Sequence, residues 1–246
     1  MYTKEHLPEI SIVGAGPGNK NLLTLKAFNA IENAEIILHD NLISDEILEI
    51  NTQAKRIYVG RKFGDKEDQE TRQNNINRLM KMHCEQGDKV VRIKSGDPYI
   101  YGRAAEEARF LTAHKLPFTV VPGVTAALAA ANSLNIPITE RGHSNAVLIC
   151  TAHTANYSTA QFRGIGNMLK SGTTLALYMA SKSLAKMIPK LIEVCGTEDI
   201  PINAISNVSR EDEVLLSSTL GNIQDDIIKT PLQMPVVFLV GVKPIR

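Results

Sequence analysis

Hydrophobic and polar positions alternate in blocks along this chain. Short apolar runs rich in β-branched residues predict strands that are buried on both faces, and these runs fall at 10–13, 36–38, 57–59, 90–93, 118–121, 146–150, 175–178, 202–205 and 236–240. Stretches between them repeat apolar residues every three or four positions, which predicts helices around 23–34, 76–83 and 184–195. The alternation of strands and helices is typical of α/β architecture with mostly parallel sheets.

The last part of the chain has a different rhythm. Two runs at 213–217 and 236–240 are separated by one short helical stretch, which favours antiparallel strands in a second lobe. The segment L-P-F-T-V-V-P-G at 116–123 supplies two prolines and a glycine, which are typical of a boundary. We therefore predict an N-terminal lobe, residues 1–119, with a mostly parallel sheet, and a C-terminal lobe, residues 120–246, with a mixed sheet.

Composition limits the classes of partner. The 246 residues are 43% hydrophobic and 22% charged, enough for two compact lobes, and the net charge of +1 gives no bulk attraction to nucleic acid or to an anionic membrane. No uninterrupted apolar run is long enough for a membrane span, and the first residues lack the apolar core of a signal peptide, so we expect a cytoplasmic protein. Cys84, Cys150 and Cys195 lie far apart, which favours buried thiols over a disulfide framework or a zinc site.

The first predicted strand runs into a glycine-rich loop. Alternate glycines within 14–18 resemble the start of the dinucleotide fingerprint G-x-G-x-x-G, and Asp40 closes the second predicted strand where a ribose-binding acid would fall. However, the third glycine position is Asn19, Pro17 removes an amide donor, and the next helix is delayed to about Leu22. This loop alone is compatible with a structural turn or with a dinucleotide site. It fits the dinucleotide site poorly.

Further polar and small residues gather after other strands. The segment K-S-G-D-P-Y-I-Y-G-R at 94–103 directly follows a predicted strand, so it lies at a carboxyl end of the sheet, where open α/β sheets bind ligands. The segment V-P-G-V-T-A-A at 121–127 opens an Ala-rich helix, and its small residues suit either a ligand or close helix packing. Taken singly, Arg141 is typical of a solvated loop charge, and His39 is typical of a packed side chain.

Several other chemistries have no motif in the chain. The sequence contains no G-x-S-x-G elbow, no complete Walker A loop and no H-E-x-x-H. The six histidines show no metal-ligand spacing. We therefore predict that the protein holds no metal.

Seven segments, taken in order, carry a family resemblance. They are V-G-A-G-P-G-N-K-N-L-L-T-L-K-A at 13–27, H-D-N-L-I-S at 39–44, V-G-R-K at 59–62, K-S-G-D-P-Y-I-Y-G-R at 94–103, V-P-G-V-T-A-A at 121–127, T-E-R-G at 139–142 and L-Y-M-A at 177–180. The set resembles the tetrapyrrole methylases, which are class III S-adenosylmethionine-dependent methyltransferases, and most of all the members that methylate uroporphyrinogen III. The similarity covers nearly the whole chain, and the ordered set is far more specific than any one motif.

The resemblance implies a fold and an activity. The fold is two αβα lobes with S-adenosylmethionine in the cleft between them, the N-terminal lobe on the substrate side and the C-terminal lobe on the cofactor side, in a homodimer. The activity is methylation of uroporphyrinogen III at ring carbons 2 and 7, which gives precorrin-2 for sirohaem or cobalamin biosynthesis and S-adenosylhomocysteine as by-product. Alternatives are a sibling methylase of a later corrinoid precursor, a dinucleotide-dependent oxidoreductase and a non-catalytic module that binds S-adenosylmethionine.

The resemblance also assigns roles by position. The cofactor contacts fall on Pro17, Ser95, Gly96, Asp97, Ile100, Thr125, Ala126, Met179 and Val208. The family's proton acceptor falls on Asp40, and its lysine proton donor falls on Arg61, with Lys62 beside it. Substrate binding or proton handling falls on Arg103, Glu106 and Arg141. The basic members of this set, Arg61, Lys62, Arg103 and Arg141, are expected to orient the carboxylates at the rim of the substrate.

Some positions depart from the family's pattern. Ser95 and Val208 stand where a glycine is usual, and so do Ala104 and Ala105, so added side-chain atoms narrow the site although backbone contacts survive. Arg61 is the more serious departure, because a guanidinium keeps its proton near pH 7 and is a poor acid. The proton donor is therefore expected to be Lys62 or another group, or not to be needed.

Overall fold

The structure divides into two compact units. The computed structural model describes residues 7–61, 64, 67–152 and 158–245 of the chain. The units are Met1–Thr125 and Ala126–Arg246, called the N-terminal and C-terminal units below. Each builds its core around a sheet of five strands.

The N-terminal unit is a parallel α/β sheet. Its strands are β1 (Ile10–Gly14), β2 (Ile36–His39), β3 (Lys55–Tyr58), β4 (Val90–Lys94) and β5 (Phe118–Val121). Its helices are α1 (Leu25–Glu32), α2 (Asp45–Leu48), α3 (Gln69–Gln86) and α4 (Ala104–Ala113). The strand order is β3-β2-β4-β1-β5, and all four pairings are parallel, as predicted.

Helices cover both faces of this sheet. Alternate residues of a strand point to opposite faces, so Val13 of β1 joins a cluster with Ala27 and Ile31 of α1, whereas Ile12 joins a second cluster that includes Met80 of α3 and Leu111 of α4. Burial of apolar residues on both faces is what the apolar runs predict. The unit is therefore a three-layer αβα sandwich.

Two local expectations for this unit are wrong. The strand predicted at 57–59 starts earlier, at Lys55, and it is not buried on both faces, since three of the four residues of this edge strand are exposed. The helix expected from about Leu22 begins at Leu25, because a 3-10 turn comes first and the Thr24 side chain caps the helix by accepting a bond from the Ala27 amide at 3.1 Å.

The C-terminal unit has a mixed sheet. Its strands are β6 (Ala146–Thr151), β7 (Thr173–Tyr178), β8 (Pro201–Ser206), β9 (Val214–Thr219) and β10 (Val236–Val240). Its helices are α5 (Ala126–Ser133), α6 (Thr159–Lys170), α7 (Leu184–Cys195) and α8 (Ile223–Lys229). The order is β6-β7-β10-β8-β9; β6 pairs with β7 in parallel and the other pairings are antiparallel, which confirms the predicted mixed sheet.

The predicted boundary at 119/120 is wrong. It cuts β5, whose residues pair with β1 in register from Ile10↔Phe118 to Val13↔Val121. The units divide after Thr125 instead. Pro122 and Gly123 directly follow the last strand of the N-terminal sheet, and the next element in the chain is helix α5, not a strand. Within the described residues, no helix combines the length and apolar character that crossing a membrane requires.

Candidate functional site

Three loops touch at the carboxyl edge of the N-terminal sheet. The Ala15 amide donates to the Lys94 carbonyl at 2.8 Å, and Gly16 and Gly96 exchange two backbone hydrogen bonds at 3.2 and 2.7 Å. A Cβ on Gly14 would lie 2.6 Å from the Gly123 nitrogen and 2.7 Å from the Gly96 oxygen. Glycine is therefore required here by close approach of the backbones that follow β1, β4 and β5.

This loop packing argues against a pyrophosphate cradle. The amides of Ala15 and Gly16, which a dinucleotide loop would turn towards phosphate, already donate to carbonyl oxygens of the neighbouring strand and loop. Asn19, in the place of the third glycine, accepts a bond from the Asn21 amide at 2.8 Å and caps the 3-10 turn. Pro17 is buried and brings no amide of its own. The loop is therefore a wall of packed backbone.

Asp97 joins two of these loops. Its Oδ1 accepts a bond from the Tyr99 amide at 2.9 Å, and its Oδ2 accepts one from the Gly123 amide at 3.2 Å. The Ile100 amide donates to the Asp97 carbonyl at 3.2 Å and closes the turn. The carboxylate of Asp97 thus fixes the shape of the loop that follows β4.

An open position lies in the same place. Gly96 has a φ of +68°, and a Cβ built on it would meet only the Thr125 Cα, at 3.9 Å. Next to it, Ser95 is half-buried and Thr125 is buried. The structure therefore brings together four residues that the resemblance assigns to the cofactor, namely Ser95, Gly96, Asp97 and Thr125.

Arg103 and Glu106 form an ion pair at the start of α4. Arg103 is the residue before the helix and has a φ of 60°, and its Nε and Nη2 donate to the two carboxylate oxygens of Glu106 at 2.8 and 2.7 Å. This bidentate bond lowers the pKa of Glu106 and raises that of Arg103 from their ordinary values. Both side chains are more than 40% exposed. The pair thus presents a fixed guanidinium and an ionised carboxylate to solvent.

Asp40 and Arg61 follow neighbouring strands. Asp40 comes directly after β2, with 27% of its side chain exposed, and its Oδ2 accepts a bond from Nη2 of Arg92 at 3.4 Å. Arg61 is exposed, and its carbonyl accepts a bond from the Tyr58 hydroxyl at 3.1 Å. His39 packs its ring edge to face against Tyr58, with the ring centroids 5.7 Å apart. Lys62 lies outside the described residues.

A buried group of charges was missed by the sequence interpretation. Arg92, Lys94 and Glu107, called the charge cluster below, are each at most 4% exposed. Oε1 of Glu107 accepts bonds from Nζ of Lys94 at 2.8 Å, Nε of Arg92 at 3.2 Å and Nε2 of Gln73 at 3.3 Å. Oε2 of Glu107 is buried without a hydrogen-bond partner.

Burial changes the chemistry of the cluster. Desolvation, assisted by the nearby charge of Arg92, lowers the pKa of Lys94 to about 8, although Glu107 opposes the shift.

A signal for the cluster was present in the sequence. Two basic residues two apart in a strand lie on one face, and here that strand precedes a helix with adjacent glutamates. Treating 90–93 as simply apolar hid Arg92.

The C-terminal unit gathers three more candidates at one sheet edge. Met179 follows β7 and has a φ of 54°. Val208 follows β8 and lies between Asn207 and Ser209, which both have a positive φ. Strand β10 pairs with both β7 and β8, so these two loops flank its first residues. The Ala127 amide donates to the Tyr178 hydroxyl at 2.7 Å, which brings the start of α5, and thus Ala126, to the same edge.

Arg141 does not share that edge. It is exposed in a turn closed by backbone bonds between Glu140 and Ser144, which precedes β6. The Ser144 hydroxyl lies 2.8 Å from that of Thr174, near the amino end of β7. Since β7 carries Met179 at its other end, the strand separates Arg141 from the candidate cofactor residues of this unit by roughly 15 Å.

No metal centre is formed by the part of the chain that the structure describes. There, no group of three or more His, Cys, Asp or Glu side chains is placed to hold a metal ion. The three cysteines are buried, and burial raises the pKa of the Cys150 thiol to about 11. These thiols are therefore small core residues and not nucleophiles.

The fold defines a two-unit α/β protein in which three backbone loops pack closely at the carboxyl edge of the N-terminal sheet. A family model for the tetrapyrrole (corrin/porphyrin) methylases matches residues 9–224. The chain therefore belongs to this family, which confirms the resemblance seen in the ordered motifs.

Two curated relatives show how far the similarity extends. The chain is 38% identical over 233 residues to a uroporphyrinogen-III C-methyltransferase of Pseudomonas aeruginosa, which covers 95% of this chain and 93% of that protein. It is 36% identical over 234 residues to a siroheme synthase of Psychrobacter arcticus, which covers 95% of this chain and 42% of that protein. The chain thus spans less than half the length of this siroheme synthase.

Solved structures share the fold. A uroporphyrin-III C-methyl transferase from Thermus thermophilus, solved in complex with S-adenyl homocysteine, is 27% identical with a TM-score of 0.78 and covers 95% of this chain and 92% of its own. A cobalt precorrin-4 methyltransferase has a TM-score of 0.83 at 22% identity, covering 98% and 97%, and this likeness concerns the fold alone. The predicted fold class is confirmed.

Proposed function

We propose that this protein is an S-adenosylmethionine-dependent C-methyltransferase that methylates uroporphyrinogen III at ring carbons 2 and 7 and releases precorrin-2. The single observation that carries the proposal is the contact of three glycine loops at the carboxyl edge of the N-terminal sheet, in a chain of the tetrapyrrole methylase family. The similarity to the Pseudomonas aeruginosa uroporphyrinogen-III C-methyltransferase over 93% of that protein's length supports the choice of substrate.

The residues present suit the methyl donor. S-Adenosylmethionine supplies a methyl group already activated by its sulfonium, so no covalent bond to the protein is needed. Gly96 leaves open space beside Thr125, and Asp97 fixes that loop through the Tyr99 and Gly123 amides. We assign donor binding to this loop, with Pro17 and Ile100, and to the C-terminal residues Ala126, Met179 and Val208. Their task is to align the methyl group with a pyrrole carbon.

The substrate's carboxylates call for local positive charge. With a net charge of +1, the protein as a whole does not attract a polyanion strongly. Arg103 offers an exposed guanidinium whose orientation is set by Glu106. We assign substrate binding to Arg103, Arg61, Lys62 and Arg141, each charge-assisted bond contributing about 1.5–3 kcal/mol.

The macrocycle must lose a proton after the methyl group is added. A placed carboxylate accepts such a proton with a gain of roughly 10²–10⁴-fold in rate. Asp40 is half-buried and held at both oxygens, by the Leu42 amide at 3.3 Å and by Arg92 at 3.4 Å. Glu106 is more exposed and already paired with Arg103. Asp40 is therefore the preferred acceptor, and the Arg103–Glu106 pair is the alternative.

The proposed function also includes the oligomeric state and the location of the protein. We propose a cytoplasmic homodimer without a metal, whose product enters sirohaem or cobalamin biosynthesis. Light scattering of the purified protein tests the dimer. A mass equal to one chain at micromolar concentration would contradict it.

The activity is tested directly. Purified protein is incubated under anaerobic conditions with uroporphyrinogen III and labelled S-adenosylmethionine, and the products are identified by mass spectrometry. We expect a product carrying two added methyl groups. No methylated product, while a known uroporphyrinogen-III C-methyltransferase is active in the same mixture, would refute the proposal.

A further inference from the structure

We infer that Arg92, anchored by the buried carboxylate of Glu107, is the positioning residue that holds Asp40 ready to accept the proton released on methyl transfer. The inference rests on the proposed function. It assigns a task to the charge cluster, which takes no part in the donor or substrate contacts proposed above.

Arg92 is held at three points below Asp40. Its Nε donates to Oε1 of Glu107 at 3.2 Å, and its Nη1 lies 2.9 Å from the Ile93 carbonyl and 3.4 Å from the Leu38 carbonyl. Its side chain is 5% exposed. Only Nη2 reaches outward, to Oδ2 of Asp40 at 3.4 Å. A planar guanidinium fixed on two sides has little freedom to move its third nitrogen.

The charges in this region balance only when Asp40 is counted. Arg92 and Lys94 are two buried cations, and Glu107 is the one carboxylate buried with them. An uncompensated buried cation is costly, so the half-exposed carboxylate of Asp40 is drawn to the cluster. The carboxylate of Asp40 thus balances the buried positive charge on one side. On its other side it is accessible to solvent.

The Leu42 amide completes the restraint. It donates to Oδ1 of Asp40 at 3.3 Å, so each oxygen of the carboxylate has its own partner. A displacement of about 1 Å in a catalytic group costs roughly 10²-fold in rate. Loss of Arg92 should therefore slow the reaction without changing how tightly S-adenosylmethionine binds.

The test is a double-mutant cycle. Arg92→Gln, Asp40→Asn and the double variant are compared with wild type for kcat, for KM of uroporphyrinogen III and for the Kd of S-adenosylmethionine by calorimetry. We expect Arg92→Gln to lower kcat roughly 10²-fold with both binding constants within about three-fold. We expect the double variant to be no slower than Asp40→Asn, because both changes remove one function. Multiplicative losses, or an unchanged kcat in Arg92→Gln, would overturn the inference.

A second variant guards against unfolding. Arg92→Met, Lys94→Met and Glu107→Leu together replace the charge cluster by apolar groups, which is often neutral or stabilising. We expect this variant to melt cooperatively and to bind S-adenosylmethionine, but to have the low kcat of Arg92→Gln. Wild-type kcat in this folded variant would show that Asp40 needs no partner.

The inference and the proposed function fail in different ways. If wild type methylates no uroporphyrinogen III, the proposed function fails. The crystal structure of the triple variant then tests the positioning by itself. We expect the Asp40 carboxylate to move or to occupy several positions. An Asp40 that keeps its wild-type place without Arg92 would overturn the inference.

Discussion

The two units differ in what their cores contain. Among the described residues, the buried charged side chains are Arg92, Lys94 and Glu107, all in the N-terminal unit, with the ionisable His83 also buried there. The buried polar residues of the C-terminal unit are uncharged, and they are Ser144, Thr173, Thr174, Asn203, Ser206 and Asn207. Several of these groups hydrogen-bond to distant parts of their own unit, as the Asn203 amide does to the Val242 carbonyl at 2.8 Å.

The difference between the cores suggests that the buried charges of the N-terminal unit serve the reaction and not stability. A buried ion pair is often no more stabilising than apolar residues of the same volume, so the charge cluster is weak evidence for stability. It lies under Asp40, which follows β2 at the carboxyl edge of the sheet. The C-terminal unit obtains its stability from one large apolar cluster that includes Phe238, Leu175 and Leu177. We therefore propose that the N-terminal unit handles the proton released in the proposed reaction.

The largest expected effect comes from removing the central carboxylate. Glu107→Ala leaves Arg92 and Lys94 buried without their shared partner, and we expect the free energy of unfolding to fall by about 3–5 kcal/mol. Its neighbour Glu106 is exposed, so Glu106→Ala should cost less than about 1 kcal/mol. Urea unfolding of both variants measures the difference. Equal losses would mean that the cluster is not held by Glu107.

The closely packed loops of the N-terminal unit should also be sensitive to substitution of their glycines. A Cβ on Gly123 would overlap the Gly96 oxygen and lie 2.7 Å from the Gly14 carbonyl carbon, so we expect Gly123→Ala to destabilise by about 3 kcal/mol. In the C-terminal unit a Cβ on Gly164 of α6 meets nothing within 4 Å, and Gly164→Ala should stabilise by up to about 1 kcal/mol. Thermal melting distinguishes the two. A tolerated Gly123→Ala would contradict the close approach of these loops.

Because of the buried Lys94, the free energy of unfolding should depend on pH in the alkaline range. The pKa of Lys94 is 10.5 when exposed and falls to about 8 in the fold, so the unfolded chain binds more proton between these values. Stability from this group is present above pH 10.5 and is lost as the pH falls through 8. Relative to Lys94→Met, the wild-type free energy of unfolding should rise by about 3 kcal/mol across that range. A difference that does not vary with pH would contradict the shift.

Arg103 should affect the reaction more than donor binding. Arg103→Ala removes a charged donor proposed to orient the substrate, and we expect kcat/KM for uroporphyrinogen III to fall roughly ten- to a hundred-fold. The Kd of S-adenosylmethionine should stay within about three-fold of wild type. Arg109→Ala is the matched control, because Arg109 is an exposed arginine of α4, the helix that Arg103 precedes. Equal losses in turnover and donor affinity would contradict a substrate role.

The smallest expected effect concerns Asp97. Asp97→Ala removes the bonds to the Tyr99 and Gly123 amides that shape the proposed donor loop, and the Kd of S-adenosylmethionine should rise roughly ten-fold. Asp68 also accepts two amide bonds, but at the start of α3, so Asp68→Ala should cost stability and leave this Kd unchanged. Calorimetry compares them. An unchanged Kd in Asp97→Ala would remove the loop from the donor site.

Much of the fold could be predicted from the chain. The strands that are central in the sheets, such as β1 and β10, are short apolar runs, and their burial makes the hydrophobic pattern continuous. The edge strand β3 was misplaced because three of its four residues are exposed, and its first two, Lys55 and Arg56, break the apolar pattern. The unit boundary was misplaced because two prolines flank β5, and sequence alone does not show that this strand returns to β1.

The site could be predicted less completely. The motifs pointed to the loop of Ser95, Gly96 and Asp97, and the structure shows the close backbone approach that small residues after a strand indicate there; their role in donor binding stays a prediction. The sequence contains a signal for the residue types of the charge cluster, but it does not show that Arg92 pairs with Asp40 and Glu107, because these residues lie 52 and 15 positions from Arg92 along the chain. The pairing depends on β2 and α4 packing beside β4, which only the tertiary structure shows.

The ring positions that receive the methyl groups distinguish the proposed activity from other methylations. S-Adenosylmethionine carrying an isotopically labelled methyl group is supplied with uroporphyrinogen III, and the positions of the label in the isolated macrocycle are read by nuclear magnetic resonance. We expect label at two carbons of one product, ring positions 2 and 7. Label at other ring positions, or none in a protein that binds the donor, would contradict it.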